Sequence, residues 1–270
     1  LETSRVMLYI STMCLVHHLR GSFRLPVASR TTKQEGDRRL DPASSRSGLE
    51  RFRNRLVDWG IPEAIIDDFV EHHTLLSYRK GAVIFPQGSA SELLSWVQGG
   101  VVEIAFSAVD SSRILTRLVG PGEIFGHLSL VAPHRHIVHA FESRAHTDCQ
   151  IAVISHDRVV KALQAFEPAT LVRLLQNITT AWAETAQYWV RFVGMNYQQR
   201  LLTIFVDLVS RFGVIEGNKT RLSLGLGHHH LAEMVGCSRP MVSQLIATML
   251  RARKIEQRGK YYILLDDTRT

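Results

Sequence analysis

The chain has 270 residues, enough for about two domains of ordinary size, and 45% hydrophobic with 21% charged residues is a normal globular balance. Its three cysteines, Cys14, Cys149 and Cys237, lie far apart and show no Cys-x-x-Cys spacing. This excludes a disulfide scaffold and an iron–sulfur cluster, and it favours a reducing cytoplasm. The sequence also contains no P-loop and no Gly-x-Ser-x-Gly motif, so we expect no enzyme.

The net charge of +7 is unevenly distributed along the chain. Residues 194–270 carry eleven Lys and Arg against six Asp and Glu, whereas residues 51–193 carry 13 against 14. A basic C-terminal region favours a polyanionic partner such as nucleic acid. Many protein surfaces are mildly basic for solubility, so the charge indicates nucleic-acid binding only if a DNA-binding motif accompanies it.

The first 50 residues differ in amino-acid composition from the rest of the chain. The apolar run MLYISTMCLV (Met7–Val16) weakly resembles a signal peptide and is well short of the roughly 20 residues that span a bilayer. From Arg30 to Gly48 there are almost no apolar residues, which is typical of a disordered linker. We predict that residues 1–50 are a disordered or non-native tail, and we expect no membrane partner.

Residues 51–166 are predicted to form a sensor domain that is mainly β. Leu49–Thr74 favours two helical pieces, with Gly60 at the break and Pro62 in the first turn of the second. From Leu75 to Ser155, glycine turns separate short apolar runs, among them AVIF, LLSWV, VVEIAF, ILTRLV and QIAVI. Strands of this length and spacing predict an antiparallel sandwich or barrel.

A long helix is predicted next, over residues 167–193. Ser155 is a good N-cap for a short helix before it, and Pro168 suits the start of the long one. Apolar or small residues at steps of three and four predict a seam that pairs with the same helix of a second copy; the alternative is packing on the chain's own β domain. The predicted seam consists of Leu171, Leu174, Ile178, Ala181, Thr185, Tyr188 and Phe192.

The most informative stretch is LAEMVGCSRPMVSQLIATMLR (Leu231–Arg251). Gly236 can end one short helix in the left-handed conformation, and Ser238 can cap the next, so the pattern predicts a helix-turn-helix. The inner faces are predicted to contain Leu231, Met234 and Val235, then Val242, Leu245, Ile246 and Leu250, with Met249 flanking.

The start of the second helix carries the predicted DNA-reading residues. Arg239, Ser243 and Gln244 fall where such a helix reaches base edges in a major groove, and their side chains suit guanine and adenine. Downstream, KIEQRGKYYIL (Lys254–Leu264) predicts a hairpin around Arg258 and Gly259. We expect backbone phosphates to be contacted by five residues: Ser238, His229, Lys254, Arg258 and Lys260. Residues 194–270 are thus predicted to be a winged helix-turn-helix domain that binds double-stranded DNA.

Taken together, these segments resemble the cyclic-AMP receptor protein and fumarate–nitrate regulator (CRP/FNR) family of bacterial transcription factors. The resemblance covers about Leu56 to Leu265 and is most specific in LAEMVGCSRPMVSQLI, with support from GPGEIFGHLSL. It implies an α+β fold of an N-terminal cyclic-nucleotide-binding-like β-roll, a long dimerisation helix and a C-terminal winged helix-turn-helix. It also implies a cytoplasmic homodimer that reads a palindromic promoter site and works with RNA polymerase.

The resemblance places the effector pocket at Gly126, His127, Leu128, His139, Ala140 and Thr185. Cyclic-AMP binders of this family have Glu where this chain has His127, and Arg-Ser where it has His139-Ala140. A phosphate would lose its charge-assisted bidentate partner there, so cyclic AMP is disfavoured and the effector stays unknown. Iron–sulfur members carry several N-terminal cysteines, and only Cys14 is present.

Two alternatives use other features of the chain. A regulatory metal or haem site could be built from a histidine-rich segment, consisting of His127, His134, His136, His139 and His146. The spacing HRHIVHAFE does not fit a cupin metal motif, and surface histidines are the simpler interpretation, so no metal residue is assigned. The second alternative, a pure interaction protein, is disfavoured by Arg239, Gln244 and the basic wing.

Overall fold

The computed structural model describes residues 42–90, 92–108, 112–126, 138–217 and 219–265; for residues 42–45 it describes the backbone alone. The helices are α1 (Pro42–Asp58), α2 (Glu63–Glu71), α3 (His156–Gln164), α4 (Pro168–Gly194), α5 (Tyr197–Phe212), α6 (His228–Val235) and α7 (Arg239–Arg251). The strands are β1 (Thr74–Tyr78), β2 (Val83–Phe85), β3 (Leu93–Gly99), β4 (Val102–Ser107), β5 (Arg113–Val119), β6 (Ile124–Phe125), β7 (Glu142–Ala145), β8 (Cys149–Ser155), β9 (Gly213–Glu216), β10 (Lys219–Leu222), β11 (Ile255–Arg258) and β12 (Tyr261–Leu264).

Two four-stranded antiparallel sheets form the β-roll, with strand orders β1-β8-β3-β6 and β2-β7-β4-β5. The tight connection between β3 and β4 contains Gly100, whose φ of +84° favours glycine, and a Cβ there would lie 2.2 Å from the Asp148 carbonyl oxygen. The predicted antiparallel β domain is confirmed. Its core lies between the sheets and contains Ile84, Val97, Val102, Val119, Phe125, Ala145, Cys149, Ile151 and Val153.

Strands β3 and β8 are buried along nearly their whole length. One face of each contributes to the core of the roll, and the other is covered by α1, α2 and α3, so neither strand shows polar alternation. The centre of this second contact is Trp96, which is fully buried and stacks on Phe52 with ring centroids 4.1 Å apart.

The predicted tail boundary at residue 50 is wrong, because α1 begins at Pro42. Gly48 packs so closely on β3 that a Cβ would lie 1.9 Å from the Gln98 carbonyl oxygen, and Leu49 contacts the Phe52 cluster. The serines and arginines at the start of this helix lack the apolar periodicity that predicts a helix from sequence. The rest of the predicted tail, residues 1–41, lies outside the described residues.

The two predicted helical pieces before the roll are confirmed as α1 and α2, with Gly60 at φ +77° between them and Pro62 at the N-cap of α2. Ser155 occupies the N-cap position of α3 as predicted, but its hydroxyl makes no capping hydrogen bond. Pro168 begins α4, as its fixed φ favours.

The residues of the predicted seam of α4 fall into two groups. Leu171 and Leu174 pack on the Phe52–Trp96 cluster and Phe192 is buried in another core, so these three residues contact their own chain. Ile178, Ala181, Thr185 and Tyr188 are exposed.

An exposed apolar stripe instead runs along a neighbouring face of α4. Its large members are Val172, Leu175, Ile178, Trp182 and Val190, with exposed fractions of 53%, 61%, 39%, 53% and 62%. Their steps of three, four and eight residues keep them on one side of the helix. Within the described residues, no helix is both long and apolar enough to cross a bilayer.

Arg200 joins the end of α4 to the C-terminal part of the chain. From α5, its guanidinium donates to the carbonyl oxygens of Phe192 and Met195, both at 3.1 Å, and of Val193 at 3.0 Å. It also donates to the Val235 carbonyl at the end of α6, at 3.3 Å. The last carbonyls of two helices are therefore satisfied by one side chain.

A single hydrophobic cluster extends from the β-roll into the C-terminal region. Helix α6 packs on β5, so the two regions share apolar residues that water does not reach. The cluster includes Val101, Ala105, Leu115 and Leu118 of the roll, Leu201, Phe205 and Leu208 of α5, and Leu231, Val235, Val242, Ile246 and Met249 of α6 and α7. A four-stranded sheet of order β11-β12-β10-β9 completes this region.

Candidate nucleic-acid interface and effector region

The corner between α6 and α7 has the predicted chemistry. Gly236 adopts φ 77° and ψ 40°, and the amides of Gly236 and Cys237 donate to the Ala232 carbonyl at 2.9 and 3.1 Å. The Ser238 hydroxyl accepts the Met241 amide at 3.4 Å, so it caps α7. A left-handed glycine followed by a serine cap turns the chain sharply between two short helices.

The inner faces of α6 and α7 are largely as predicted. Leu231, Val235, Val242 and Ile246 are buried, while Met234, Leu245 and Leu250 are partly buried. Met249, predicted to flank the face, is instead fully buried at its centre. The sequence pattern could not decide between Leu245, Met249 and Leu250, because all three fall near the same side of the helix.

The predicted reading residues lie in the first turns of α7. Arg239 and Gln244 are exposed there, beside the 37%-exposed Met241. Ser243 is half-buried; its hydroxyl donates to the Arg239 carbonyl at 3.0 Å and lies 2.8 Å from His228 Nδ1. Histidine 228, which the sequence analysis did not assign, thus positions a predicted base reader.

The predicted phosphate contacts are spread over three places. Ser238 and His229 are exposed near the start of α7, and Arg258 and Lys260 are exposed in the β11–β12 hairpin. Gly259 has φ 60°, which suits the predicted turn. Lys254 lies beyond the C-terminal end of α7 and lines a hollow with Gln198 and Gln199. Lys254 therefore lies at the opposite end of α7 from Arg239.

His229 is more suited to a neutral phosphate contact than to an ionic one. Burial, followed by the neighbouring His230, lowers the pKa of His229, although Glu233 and Glu103 act in the opposite direction. Its ring centroid lies 3.7 Å from that of His230. A neutral imidazole can still donate one N–H to a phosphate oxygen.

The predicted effector pocket is only partly described. Gly126 and His139 come together, since a Cβ on Gly126 would lie 3.5 Å from His139 Cε1, and Ala140 follows. His127 and Leu128 lie outside the described residues. Thr185 is exposed on α4, with its hydroxyl bonded to the Ala181 carbonyl at 2.8 Å.

His139 does not offer the fixed charge that a cyclic phosphate requires. Its buried ring stacks on Phe85 with centroids 4.4 Å apart, and burial lowers the pKa of the imidazole. A neutral ring in an aromatic stack cannot replace a guanidinium that binds both phosphate oxygens.

The histidine-rich segment does not form one described cluster. His134 and His136, like His127, lie outside the described residues, and His139 faces Phe85. His146 points elsewhere, with Nδ1 2.8 Å from Glu103 Oε1.

A buried polar group that the sequence analysis missed joins β4 and β7–β8 to α6. Glu103 Oε1 lies 2.8 Å from His146 Nδ1 and 3.2 Å from His230 Nε2, and Glu103 Oε2 accepts from Arg113 at 2.7 Å. Burial raises the pKa of Glu103, but hydrogen bonds from His146, His230 and Arg113 outweigh it and hold the pKa well below its usual range. Arg113 also binds Glu233 of α6 at 2.5 Å.

Comparisons with known proteins match both halves of this architecture. Residues 75–166 match the family model of the cyclic nucleotide-binding domain, and residues 199–269 match that of the Crp-like helix-turn-helix domain. The chain is 24% identical over 211 residues to the CRP-like cAMP-activated global transcriptional regulator of Mycobacterium tuberculosis, covering 78% of this chain and 92% of that protein.

Two further relatives come from Xanthomonas. The CRP-like protein Clp of Xanthomonas euvesicatoria is 22% identical over 234 residues, covering 83% of this chain and 98% of that protein. The solved structure of the c-di-GMP responsive global regulator CLP of Xanthomonas campestris superimposes with a TM-score of 0.63 at 22% identity, covering 76% and 99% of the two chains.

The two family models together match more than half of the chain, in the order that the fold shows. A β-roll, a long helix and a winged helix-turn-helix follow one another in the described structure. The chain belongs to the CRP/FNR family of transcription regulators, which carry a helix-turn-helix DNA-binding domain.

Proposed function

We propose that this regulator binds a palindromic promoter site as a homodimer and reads each half-site with the first turns of α7. The observation that carries the proposal is the exposure of Arg239 and Gln244 directly after the Gly236–Ser238 corner. Arg pairs with both acceptors of guanine, and Gln pairs with adenine, when such a helix lies in a major groove. Ser238, His229, Lys254, Arg258 and Lys260 are proposed to contact phosphates, and Ser243 to assist at a base edge.

Selection of bound sites from random DNA tests this proposal directly. Replacing Arg239 by alanine is expected to weaken binding to the selected site by about 1–3 kcal/mol and to relax preference at one base pair per half-site. Titration of the wild-type and variant proteins against sites changed one pair at a time measures both effects.

Lys260→Ala is the matched control, since it removes a cation from the wing. It should weaken binding to all sites about equally and lower the dependence of log affinity on log salt by about 2, because the dimer loses one phosphate contact in each half-site. Selection of the same site with the same preference by the Arg239→Ala protein would contradict the assignment of Arg239.

We also propose that cyclic AMP is not the effector. The support is the buried, stacked imidazole of His139 at a position where a cyclic phosphate needs a fixed cation. DNA affinity is expected to stay the same, within about threefold, when cyclic AMP is added far above ordinary ligand concentrations. A tenfold or larger gain in a fluorescence-anisotropy titration would refute this. Another effector, or a roll that has lost its effector, is consistent with the same pocket.

The proposed partners follow from this role. The dimer contact is assigned to the apolar stripe of α4, defined by Val172, Leu175, Ile178, Trp182 and Val190. RNA polymerase is the expected protein partner at a promoter, and the cytoplasm is where a bacterial regulator meets its DNA. We propose no enzymatic activity and no membrane partner.

A further inference from the structure

The group formed by Glu103, His146 and His230 has the composition of a metal site. Its three potential ligand atoms, one carboxylate oxygen and two imidazole nitrogens, all lie within 4.8 Å of one another. Glu103 and His146 are buried, and His230 is half-buried, so water competes weakly for these atoms. Two His and one carboxylate are a common ligand set for zinc.

We propose that Glu103, His146 and His230 bind one divalent transition-metal ion of the zinc class, and that this ion ties the β-roll to the helix-turn-helix. Glu103 belongs to β4, His146 follows β7, and His230 belongs to α6. The proposal goes beyond DNA binding and does not depend on it.

The geometry fits a tetrahedral ion. Zinc–nitrogen and zinc–oxygen bonds of about 2.0–2.2 Å place neighbouring ligand atoms about 3.3–3.5 Å apart. Glu103 Oε1 already lies 2.8 Å from His146 Nδ1 and 3.2 Å from His230 Nε2. The two imidazoles meet edge to face, with centroids 4.9 Å apart and planes at 70°, and one nitrogen of each ring lies within 4.8 Å of the other. The two oxygen–nitrogen distances must lengthen by about 0.1–0.7 Å to admit the ion, and a water can take the fourth position.

The charge around the group also favours a cation. Arg113 contacts three carboxylates, those of Glu103, Glu142 and Glu233, and Arg144 pairs with Glu142. Three negative and two positive side chains leave one net negative charge beside the two histidines. Arg113 binds the other carboxylate oxygen, Oε2, so it orients Glu103 and leaves Oε1 directed at the imidazoles.

Metal binding determines which nitrogen of each imidazole carries a proton. Both imidazoles can donate to Glu103 Oε1 in the metal-free protein, and metal binding through the same nitrogens moves each proton to the other ring nitrogen. For His230 this breaks the 3.2 Å bond that Nδ1 accepts from the Gly227 amide. Gly227 is half-exposed, so water can satisfy its amide instead.

The test uses the full chain, stripped of metal with a chelator and titrated with zinc chloride by calorimetry. One zinc per protomer is expected, and His230→Ala and Glu103→Gln are each expected to lower the affinity at least about 100-fold. Both variants should give the circular dichroism spectrum of the wild-type protein, which excludes unfolding as the cause of the lower affinity. Cobalt(II) added in place of zinc should give the strong visible absorption of a four-coordinate site, and both substitutions should remove it.

His229→Ala is the control, because the adjacent His228, His229 and His230 could by themselves attract zinc at the surface. The buried site requires His229→Ala to keep wild-type affinity, since His229 is exposed and supplies none of the three ligand atoms. Absence of zinc binding, or equal losses in His229→Ala and His230→Ala with none in Glu103→Gln, would overturn the proposal.

Discussion

Replacing Trp182 by glutamate is expected to give a folded monomer whose affinity for a full palindromic site falls at least about 100-fold. Trp182 is 53% exposed at the centre of the apolar stripe of α4, between Ile178 and Val190. A charge placed in an apolar dimer contact must be buried without a partner, which strongly disfavours association. A regulator that reads two half-sites then loses the effective concentration that links them, a factor of about 100 to 10,000.

Light scattering during size-exclusion chromatography, with DNA titrations on full and half sites, measures both effects. The affinity for a half-site should change little, because α7 is untouched. Thr180→Glu is the matched control: it adds the same charge to the same helix about 200° away around the axis, on an exposed position outside the stripe. If the Trp182→Glu protein stays dimeric, the stripe is not the dimer contact.

Replacing Trp96 by alanine is expected to lower the free energy of unfolding by about 3–5 kcal/mol. Trp96 is fully buried, stacks on Phe52 with an interplanar angle of 5°, and joins β3 to α1. The truncation removes the stack and leaves a cavity that the flanking strand and helix cannot close. Urea denaturation followed by circular dichroism measures the change.

Trp96→Phe separates the ring contact from the indole N–H. Trp96 Nε1 is buried and finds no hydrogen-bond partner among the described residues. Phenylalanine keeps a ring on Phe52 and removes that unsatisfied donor, so its cost should be clearly smaller than that of alanine. Equal losses in the two variants would contradict the stacking explanation.

Local chemistry explains what the sequence could predict. Gly236 and Ser238 determine the corner between α6 and α7 through backbone conformation and capping, so their effect is visible within four residues. The short apolar runs predicted the strands because strand formation also depends on residues that are close in sequence. The serine-rich start of α1 was missed because its evidence is tertiary: Gly48 allows a close contact with Gln98, 50 residues later.

The predicted seam of α4 shows that one apolar periodicity can be compatible with two different contact faces of a helix. Helix α4 is apolar on adjacent sides, and one side packs on its own chain through Leu174 and Phe192 while the other exposes Leu175 and Trp182. Only the tertiary structure distinguishes them. Likewise, Glu103, His146 and His230 come from separate elements, so no spacing in the sequence could have brought them together.

The hydrophobic cluster shared by the roll and the C-terminal helices has a mechanical consequence. Moving α6 away from β5 would wet Leu115 and Leu118 on one side and Leu231 on the other, at about 1.5–3 kcal/mol for each side chain. This free-energy cost opposes separation of α6 from β5. We therefore expect the β-roll and the helix-turn-helix to unfold together, and a rearrangement between them has to provide new apolar contacts for these side chains.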